Sequence, residues 1–394
     1  MKTVAIIAEY NPFHNGHKFQ IDKIREIFGD ETNIVCIMSG NYVQRGDFAI
    51  FDKHTRAKCA ILGGANLVFE LPLPYVVSSA EFFARGAVSV LDNLGCIDYL
   101  CFGSECGDID KLWDISRVLT SEKLQNDIKK CMQTGISYPN ALDQVLSDYD
   151  ASFGEIIKNP NNTLGIEYIK SLISLKSDIK PITITRKNTG YHSDEQIDGI
   201  ASASYIRKNI DEEILHLMPE KCADIIKNIP NISMYSVENS ILTYLKRKNS
   251  DYFAKIRDCN EGLEYKIVTE LKIATSLDDL LEKIKSKRYT QSRIRRIILN
   301  SYLEIYKEYT EILPQYAKVL AFDDDGRKIL KKLKETCKIP VITKPAGDYN
   351  FCEDGKKMIN LDILATDLYF MAHDNPKSRV SGFEMKTSPI YVAN

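Results

Sequence analysis

Two histidines near the N-terminus are the residues best placed to do chemistry. His14 and His17 flank Asn15 and Gly16 in a loop between an apolar run, residues 4–8, and an amphipathic segment. Imidazoles can donate hydrogen bonds to phosphate oxygens, Gly16 leaves room for a close ligand, and a helix beginning near His17 would direct its free N–H groups at the loop. The pattern predicts nucleotide binding and stabilisation of charge during phosphoryl or adenylyl transfer. A pair of structural or metal-binding histidines is the alternative.

A second candidate lies roughly 190 residues further along the chain. The segment Ala201-Ser202-Ala203-Ser204-Tyr205-Ile206-Arg207 offers hydroxyl caps for a helix beginning near Tyr205, and Arg207 could reach the outer phosphates of a nucleotide. Taken alone, this segment indicates only the start of a helix. Together with the histidine loop, it predicts a phosphate site built from two distant segments.

The elements around these motifs predict an α/β fold. Short apolar runs alternate with amphipathic ones, which indicates a parallel sheet with helices on both faces. The predicted strands are 4–8, 33–38, 66–71, 97–102 and 181–185, and the first predicted helices are 17–28, 52–63 and 80–94. In such sheets ligands bind at the carboxyl ends of the strands, where loops 9–17, 39–46 and 103–107 are expected to meet.

Composition indicates a globular chain of more than one domain. Of 394 residues, 44% are hydrophobic and 27% charged, and the formal net charge is -2, so affinity for RNA requires a local patch. We expect a catalytic domain over 1–210, and over 211–394 a mainly helical region with a small mixed C-terminal part. No apolar run is long enough to span a membrane, and no signal peptide is recognised, which predicts a cytoplasmic protein. The ten cysteines are scattered, which favours thiols over a metal site.

A basic segment is the candidate RNA contact. Seven Lys or Arg residues lie between positions 283 and 296. The predicted RNA-binding residues are Lys287, Arg288, Arg293 and Arg296. Thr290 could cap a helix in which Ile294, Ile297, Ile298 and Ile305 face inward and Arg293 and Arg296 face outward. Lys53, Arg56, Lys58 and the Arg45 loop could extend this patch, and a solvated helix face is the alternative.

The two motifs resemble those of the HIGH-type nucleotidyltransferase superfamily, with its HxGH loop and ISSTxIR element, and imply its Rossmann-like catalytic domain. Longer segments are similar to one family, the bacterial tRNA(Met) cytidine acetate ligases. These segments are 9–17, Met38-Ser39-Gly40-Asn41-Tyr42-Val43-Gln44-Arg45-Gly46, Phe102-Gly103-Ser104-Glu105, 160–168, Lys287-Arg288-Tyr289-Thr290 and Ala365-Thr366-Asp367-Leu368-Tyr369. The resemblance covers nearly the whole chain. It implies that acetate is activated by ATP as acetyl-adenylate and transferred to N4 of the wobble cytidine of elongator tRNA(Met), without acetyl-CoA.

The resemblance also implies which residues form the site. The implied ATP-binding residues are Ile7, Ala8, Glu9, Tyr10, Asn11, Pro12, Phe13, His14, Asn15, Gly16, His17, Lys18, Phe19, Gln20, Gly103, Asn162, Arg186 and Lys187. His14, His17 and Arg207 are the expected catalytic residues, with Mg²⁺ bridging the phosphates. Gly103 as a turn residue and Asn162 as the cap of a helix from Thr163 are the alternatives. Gln20 stands where many members of the superfamily have a third histidine, so we assign it no acid–base role.

Two other functions remain open on these residues. A small-molecule adenylyltransferase would share both motifs, although it would not need the further 180 or so residues or the basic segment. A tRNA-binding protein that senses ATP without turnover would also carry them. Neither the oligomeric state nor the base for the amine attack follows from the sequence.

Overall fold

The computed structural model describes residues 1–136, 138–186, 201–210, 212–286, 289–347 and 349–393. Lys187, Lys287 and Arg288 therefore lie outside the described residues. The strands are β1 Thr3–Ala8, β2 Asn33–Ser39, β3 Tyr42–Val43, β4 Asp47–Phe48, β5 Leu67–Leu71, β6 Tyr99–Ser104, β7 Lys180–Thr185, β8 Ala317–Phe322, β9 Val341–Ile342 and β10 Ile390–Tyr391.

Helices make up most of the remaining described chain. Those of the first half are α1 Asn15–Phe28, α2 Lys53–Leu62, α3 Leu73–Val76, α4 Ala80–Leu94, α5 Ile109–Thr120, α6 Glu122–Met132, α7 Tyr138–Tyr149, α8 Ala151–Ile157 and α9 Pro160–Leu175. Those of the second half are α10 Ala203–Lys208, α11 Glu220–Ile226, α12 Glu238–Leu245, α13 Ser250–Phe253, α14 Leu263–Ile273, α15 Leu277–Ile284, α16 Gln291–Tyr302, α17 Asp324–Thr336, α18 Glu353–Phe370 and α19 Phe383–Lys386. Short 3₁₀ helices cover Glu212–Leu217, Met234–Val237, Lys307–Thr310 and Pro376–Ser378.

Eight strands form one mainly parallel sheet in the order β10-β8-β5-β2-β1-β6-β7, with β9 paired to β8. β8 runs antiparallel to β5, and the other pairings in this sheet are parallel. β3 and β4 form a separate hairpin. The predicted α/β fold class is confirmed. The central position of β1, between β2 and β6, places its following loop at the middle of the carboxyl edge.

Both faces of the sheet are buried at its central strands β1, β2 and β5, as their continuous apolar runs require. Alternate residues of β1 belong to two different cores: Ala5 and Ile7 face one core, whereas Val4 and Ile6 face the other. The first core includes residues of α4 and α9, and the second includes residues of α1, α2 and α11. The prediction of helices on both faces is therefore correct.

The sheet does not end with the first half of the chain. β8, β9 and β10 come from beyond residue 210 and extend the sheet next to β5. The region 211–394 thus contributes strands to the predicted catalytic domain as well as helices beside it. The division at residue 210 remains a prediction about domains, and it does not mark the edge of the sheet.

A buried ionic cluster joins these late strands to the early ones. Lys53 on α2 pairs with Glu70 on β5 at 2.8 Å and with Glu384 on α19 at 2.7 Å. Lys318 on β8 pairs with Glu70 at 2.8 Å and also contacts Glu384. All four side chains are at most 6% exposed. Two lysines facing two carboxylates leave no net charge among these four groups, which is the condition for tolerating such burial.

Within the described part of the chain, no helix has the length and apolarity needed to cross a bilayer. All ten cysteines, each of them in the described part, are unpaired thiols. The described residues contain no group of three or more His, Cys, Asp or Glu side chains arranged to hold a metal ion.

Candidate active site

The histidine loop forms the cap of the first helix. α1 begins at Asn15, two residues before the predicted start, because His14 itself is the N-cap. His14 Nδ1 accepts a hydrogen bond from Gly16 N at 3.1 Å, and His17 Nδ1 accepts one from His14 N at 3.2 Å. This reciprocal pair satisfies donors that a helix start would otherwise leave open, and it fixes both imidazoles at the positive end of the helix dipole.

These hydrogen bonds decide where the protons of the two rings lie. Burial lowers the pKa of His14 from 6.5 to about 3, and the nearby Arg186 and Arg207 lower it further. Burial also holds the pKa of His17 well below 6.5, with contributions from His14 and Arg186. Each ring is therefore neutral, and because Nδ1 accepts, the remaining proton is on Nε2. The site thus presents two fixed, neutral N–H donors.

Aromatic packing holds the loop against the sheet. The rings of His14 and His17 stack with centroids 3.8 Å apart. Tyr10 and Phe13, buried at 1% and 0% exposure, contact the His17 ring at 4.8 and 5.5 Å between centroids. Because these rings fill the space beneath the imidazoles, the donors keep one orientation without help from a ligand.

Two arginines from distant segments lie near the histidine loop. Arg207 lies in α10, whose N-cap is Ser202, and its Nη1 donates to the carbonyl of Asn11 at 2.7 Å. Arg186 follows β7, and its Nη1 donates to Asn161 Oδ1 at 3.3 Å. Both lie close enough to His14 to lower its pKa. The Arg207 contact brings the segment 201–207 next to the histidine loop, and the role of Arg207 at the phosphates stays a prediction.

The loop 103–107 is fastened to the start of α9. Asn162 Oδ1 accepts hydrogen bonds from the backbone N–H groups of Glu105 and Cys106 at 2.9 and 3.1 Å. Glu105 in turn accepts from Asn162 N at 2.9 Å. Asn162 is 1% exposed and lies in the first turn of a helix that starts at Pro160, before the predicted Thr163. Its visible role is to hold this loop, and its direct contact with ATP stays a prediction.

Gly103 lies inside β6 and pairs with Ile184, so it does not serve a turn. A side chain added there would come within 3.1 Å of the Arg186 side chain. The glycine therefore leaves the strand end open beside a cation, which suits the predicted approach of a ligand.

The other residues of the predicted nucleotide segment lie in β1, the loop and the first turns of α1. Asn11 Oδ1 accepts from Ile50 N at 2.9 Å, and Asn15 Nδ2 donates to the carbonyl of His216 at 3.1 Å. Lys18 pairs with Asp22. Gln20 Nε2 donates to the carbonyl of Cys101 on β6 at 3.2 Å, so it links α1 to the sheet.

The sequence did not reveal how the loops at this edge are tied together. Arg56 is 1% exposed and donates to backbone carbonyls at the carboxyl ends of β1 and β2, including those of Glu9 and Ser39. Lys53 belongs to the buried ionic cluster. The expectation that Lys53 and Arg56 extend an RNA-binding surface is therefore wrong. The apolar residues beside Arg56 on α2, such as Ala57 and Ala60, could have indicated that this part of the helix is buried.

The basic helix α16 is partly as predicted. Thr290 caps it, accepting from Arg293 N at 3.4 Å, and Ile294, Ile297 and Ile298 are buried. Ile305 is also buried, although it lies beyond the end of the helix.

The two arginines of this helix do not both face outward. Arg293 Nε donates to the carbonyl of Asp258 at 3.0 Å, and the side chain is only partly exposed. Burial lowers the pKa of Arg296, whose Nε is buried and has no hydrogen-bond partner in the described part of the chain. Their assignment as RNA contacts remains a prediction, but the expected outward orientation is wrong.

The hairpin β3–β4 connects this helix to the histidine loop. Glu9 Oε1 accepts from Gln44 N at 2.6 Å at one end of the hairpin, and Asp47 pairs with Arg295 of α16 at 3.2 Å at the other. Gly46 has a φ of +77°, and a Cβ there would lie 2.5 Å from the backbone nitrogen of Arg296. The basic helix is therefore in direct contact with the edge of the nucleotide site.

A cap of two neutral histidines between converging arginines, at the carboxyl edge of a parallel sheet, defines a HIGH-type nucleotidyltransferase. A model of the HIGH nucleotidyltransferase family matches residues 1–382, and the chain belongs to that family. Within it, the chain belongs to the tRNA(Met) cytidine acetate ligases. It is 37% identical to the ligase of Acetivibrio thermocellus over 419 residues and 39% identical to that of Clostridium novyi over 409, covering 100% of each chain.

Two solved structures are also similar to this chain over its whole length. The apo structure of Thermotoga maritima TmcAL matches with a TM-score of 0.94, and the structure bound with α-thio ATP with a TM-score of 0.92. Both are 31% identical to this chain and are covered over 100% of their length.

Proposed function

We propose that this protein activates acetate with ATP as acetyl-adenylate and transfers the acetyl group to N4 of the wobble cytidine of elongator tRNA(Met). The product would be N4-acetylcytidine, with release of AMP and pyrophosphate. The observation that carries the proposal is the pair of neutral Nε2–H donors at the start of α1, flanked by Arg186 and Arg207.

The nucleotide would lie across the carboxyl ends of β1 and β6. We assign its binding to the segment from Ile7 to Gln20, to Gly103, and to Asn162, Arg186 and Lys187. The close approach of Arg186 to Gly103 and its hydrogen bond to Asn161 support a cation at this end of the site. A guanidinium there suits either stacking on adenine or pairing with phosphate.

The first step would use His14, His17 and Arg207. An acetate oxygen attacks the α-phosphorus, and negative charge grows on that phosphate and on the departing pyrophosphate. Neutral donors that already point at one place need no reorganisation as this charge develops, which is the main source of catalysis in such reactions. Arg207, held by the carbonyl of Asn11, would steady the pyrophosphate.

We expect Mg²⁺ to enter with ATP. The described residues offer no acidic cluster for a resident metal, and Mg²⁺ commonly binds through substrate phosphates and water with few protein ligands. When bound, it would neutralise part of the phosphate charge.

The tRNA would approach over the hairpin and α16, in the cytoplasm. Lys287, Arg288, Arg293 and Arg296 are the proposed phosphate contacts, although Arg293 also holds the carbonyl of Asp258. The contact between Gly46 and α16 supports this route, because RNA bound at the helix would lie next to the adenylate. The wobble base would have to leave the stack to reach the site.

One pair of measurements tests the proposal. Acetate-dependent exchange of pyrophosphate into ATP reports the first step, and mass spectrometry of tRNA nucleosides reports N4-acetylcytidine. We expect both with the purified protein, and loss of the modified nucleoside from cells lacking it. Exchange without tRNA acetylation would point to a small-molecule adenylyltransferase, and tRNA binding without exchange would point to an ATP-sensing protein.

A further inference from the structure

The carboxylate of Glu9 is the group at this site whose charge does not suit phosphate binding. Glu9 follows β1 directly and is partly buried. Its Oε1 accepts from Gln44 N at 2.6 Å, and no hydrogen bond to Oε2 is present in the described residues. A negative charge beside a polyphosphate is repelled by it, so this oxygen calls for a different partner, one that donates hydrogen bonds.

The position of Glu9 is fixed from several sides. Arg56 donates to its backbone carbonyl, and Tyr10, the next residue, has a φ of +48° that turns the chain. Burial lowers the pKa of Arg207 and raises that of Tyr168, and Glu9 lies near enough to both groups to push each pKa upward. The carboxylate thus lies between the histidine loop and the hairpin that contacts α16, on the side from which the RNA is proposed to enter.

We propose that Glu9 Oε2 binds the N4 amine of the acceptor cytidine and takes its proton during acetyl transfer, an inference that rests on the function proposed above. The exocyclic amine of cytosine is a hydrogen-bond donor for which Glu is a natural acceptor. The amine nitrogen bonds to the acetyl carbon, and the bond from that carbon to the phosphate oxygen breaks. AMP leaves with the bonding electrons, and one N4 proton passes to Glu9.

The other candidate bases at this edge are already committed. His14 and His17 use Nδ1 to accept backbone N–H groups, and Nε2 carries the proton. Both oxygens of Glu105 accept from residues 161 and 162. Asp47 pairs with Arg295, and Glu167 pairs with Lys170 at 2.9 Å.

Glu9→Gln is the decisive variant, because it keeps an oxygen for Gln44 N and removes only the ability to take a proton. Two assays are compared on the same preparation. Hydroxylamine traps acetyl-adenylate as acetohydroxamate without needing a base on the protein. Single-turnover acetylation at saturating tRNA reports the transfer. We expect the loss in tRNA acetylation to exceed the loss in hydroxamate by roughly 10²-fold, the scale of losing a general base.

Glu105→Gln is the matched control at the same sheet edge. Its carboxylate holds the start of α9, so we expect it to lower both assays together. Glu9→Asp, which restores a carboxylate, should recover part of the transfer.

Three outcomes would overturn the role of Glu9: acetylation by Glu9→Gln at the wild-type rate, equal losses in both assays, or a raised Mg²⁺ requirement for hydroxamate, which would make Glu9 a metal ligand. Failure of the proposed function looks different, because the wild-type protein itself would then form no hydroxamate, or would form hydroxamate without acetylating tRNA.

Discussion

Lys53 and Glu384 form an ion pair of 2.7 Å with side chains 2% and 1% exposed, although they lie near opposite ends of the chain. Glu384 also accepts a hydrogen bond from the Thr366 hydroxyl on α18 at 2.8 Å. Lys53 begins α2, the helix whose Arg56 holds the loops of the nucleotide site. Through Lys53, α19 therefore helps to hold in place the helix that supports the site loops.

Glu384→Gln should destabilise the fold by about 3–5 kcal/mol, because it leaves buried lysine charge without its partner. Urea denaturation would measure the change. Glu353→Gln is the control, since Glu353 is 79% exposed and pairs with Lys356 on its own helix. A loss no larger than that of the control would show that the cluster is not stabilising.

The buried His54 should make a contribution to the free energy of unfolding that falls as the pH drops below 6.5. Burial lowers the pKa of His54 to about 4; Lys53 and Lys318 lower it further, whereas Asp52 and Glu70 oppose them. Between pH 6.5 and about 4, His54 therefore binds a proton in the unfolded chain but not in the folded chain, so acidification favours unfolding through this group. Neither ring nitrogen has a hydrogen-bond partner in the described residues.

His54→Leu should remove this dependence. The difference in the free energy of unfolding, variant minus wild type, should be about 1 kcal/mol more favourable to the variant at pH 5.5 than at pH 7.5. Burial raises the pKa of Asp362 to about 6, so this group favours the folded state on acidification. Comparing His54→Leu with wild type at each pH cancels that contribution, because both proteins carry Asp362. A difference that is the same at both pH values would contradict the neutral state of His54.

His14→Ala and His17→Ala should each slow acetate-dependent ATP–pyrophosphate exchange by roughly 10²-fold or more, the scale of losing one preorganised donor. Circular dichroism would check that the fold persists. His373→Ala, in a turn after α18, is the matched control. Wild-type exchange in both site variants would remove the histidines from the mechanism.

Removing the proposed phosphate contacts of the basic segment should weaken tRNA binding and leave hydroxamate formation in place. Arg293→Ala with Arg296→Ala should reduce the log–log salt slope of binding by about 0.7–0.9 for each phosphate that is no longer neutralised. Because Arg293 and Arg296 are partly buried, Lys287→Ala with Arg288→Ala provides an independent test. Lys357→Ala, 64% exposed on α18, is the control. An unchanged slope in both double variants would make the basic segment a solvated surface.

Labelled acetate should enter tRNA only when ATP is present, and acetyl-CoA should give no product. Donors placed around an α-phosphate, as proposed, would activate a free carboxylate, whereas an acetyl-CoA enzyme would need room for a pantetheine arm. The measurement is label in purified tRNA with each acetyl source. Label from acetyl-CoA without ATP would mean that the adenylate mechanism is wrong.

The residues that contact the site locally could be predicted, whereas those that act through distant packing could not. The pattern HxGH after a strand indicated the donors, and the hydroxyl cap at Ser202 indicated the helix of Arg207. The burial of Lys53 depends on β8 and α19, which meet it across more than 260 residues. Arg293 was assigned to solvent because its helical spacing could not reveal the carbonyl of Asp258.

The sheet order also bears on how the protein is made. β5 can pair with β2 as soon as both have emerged from the ribosome, but its other neighbour, β8, follows some 250 residues later. At about 5–20 residues per second, translation leaves that strand edge open for roughly 12–50 s. Open edges of apolar strands invite wrong partners. During that interval Glu70 would also lack its ion-pair partner Lys318. A nascent chain of this protein should therefore depend on early chaperone contact.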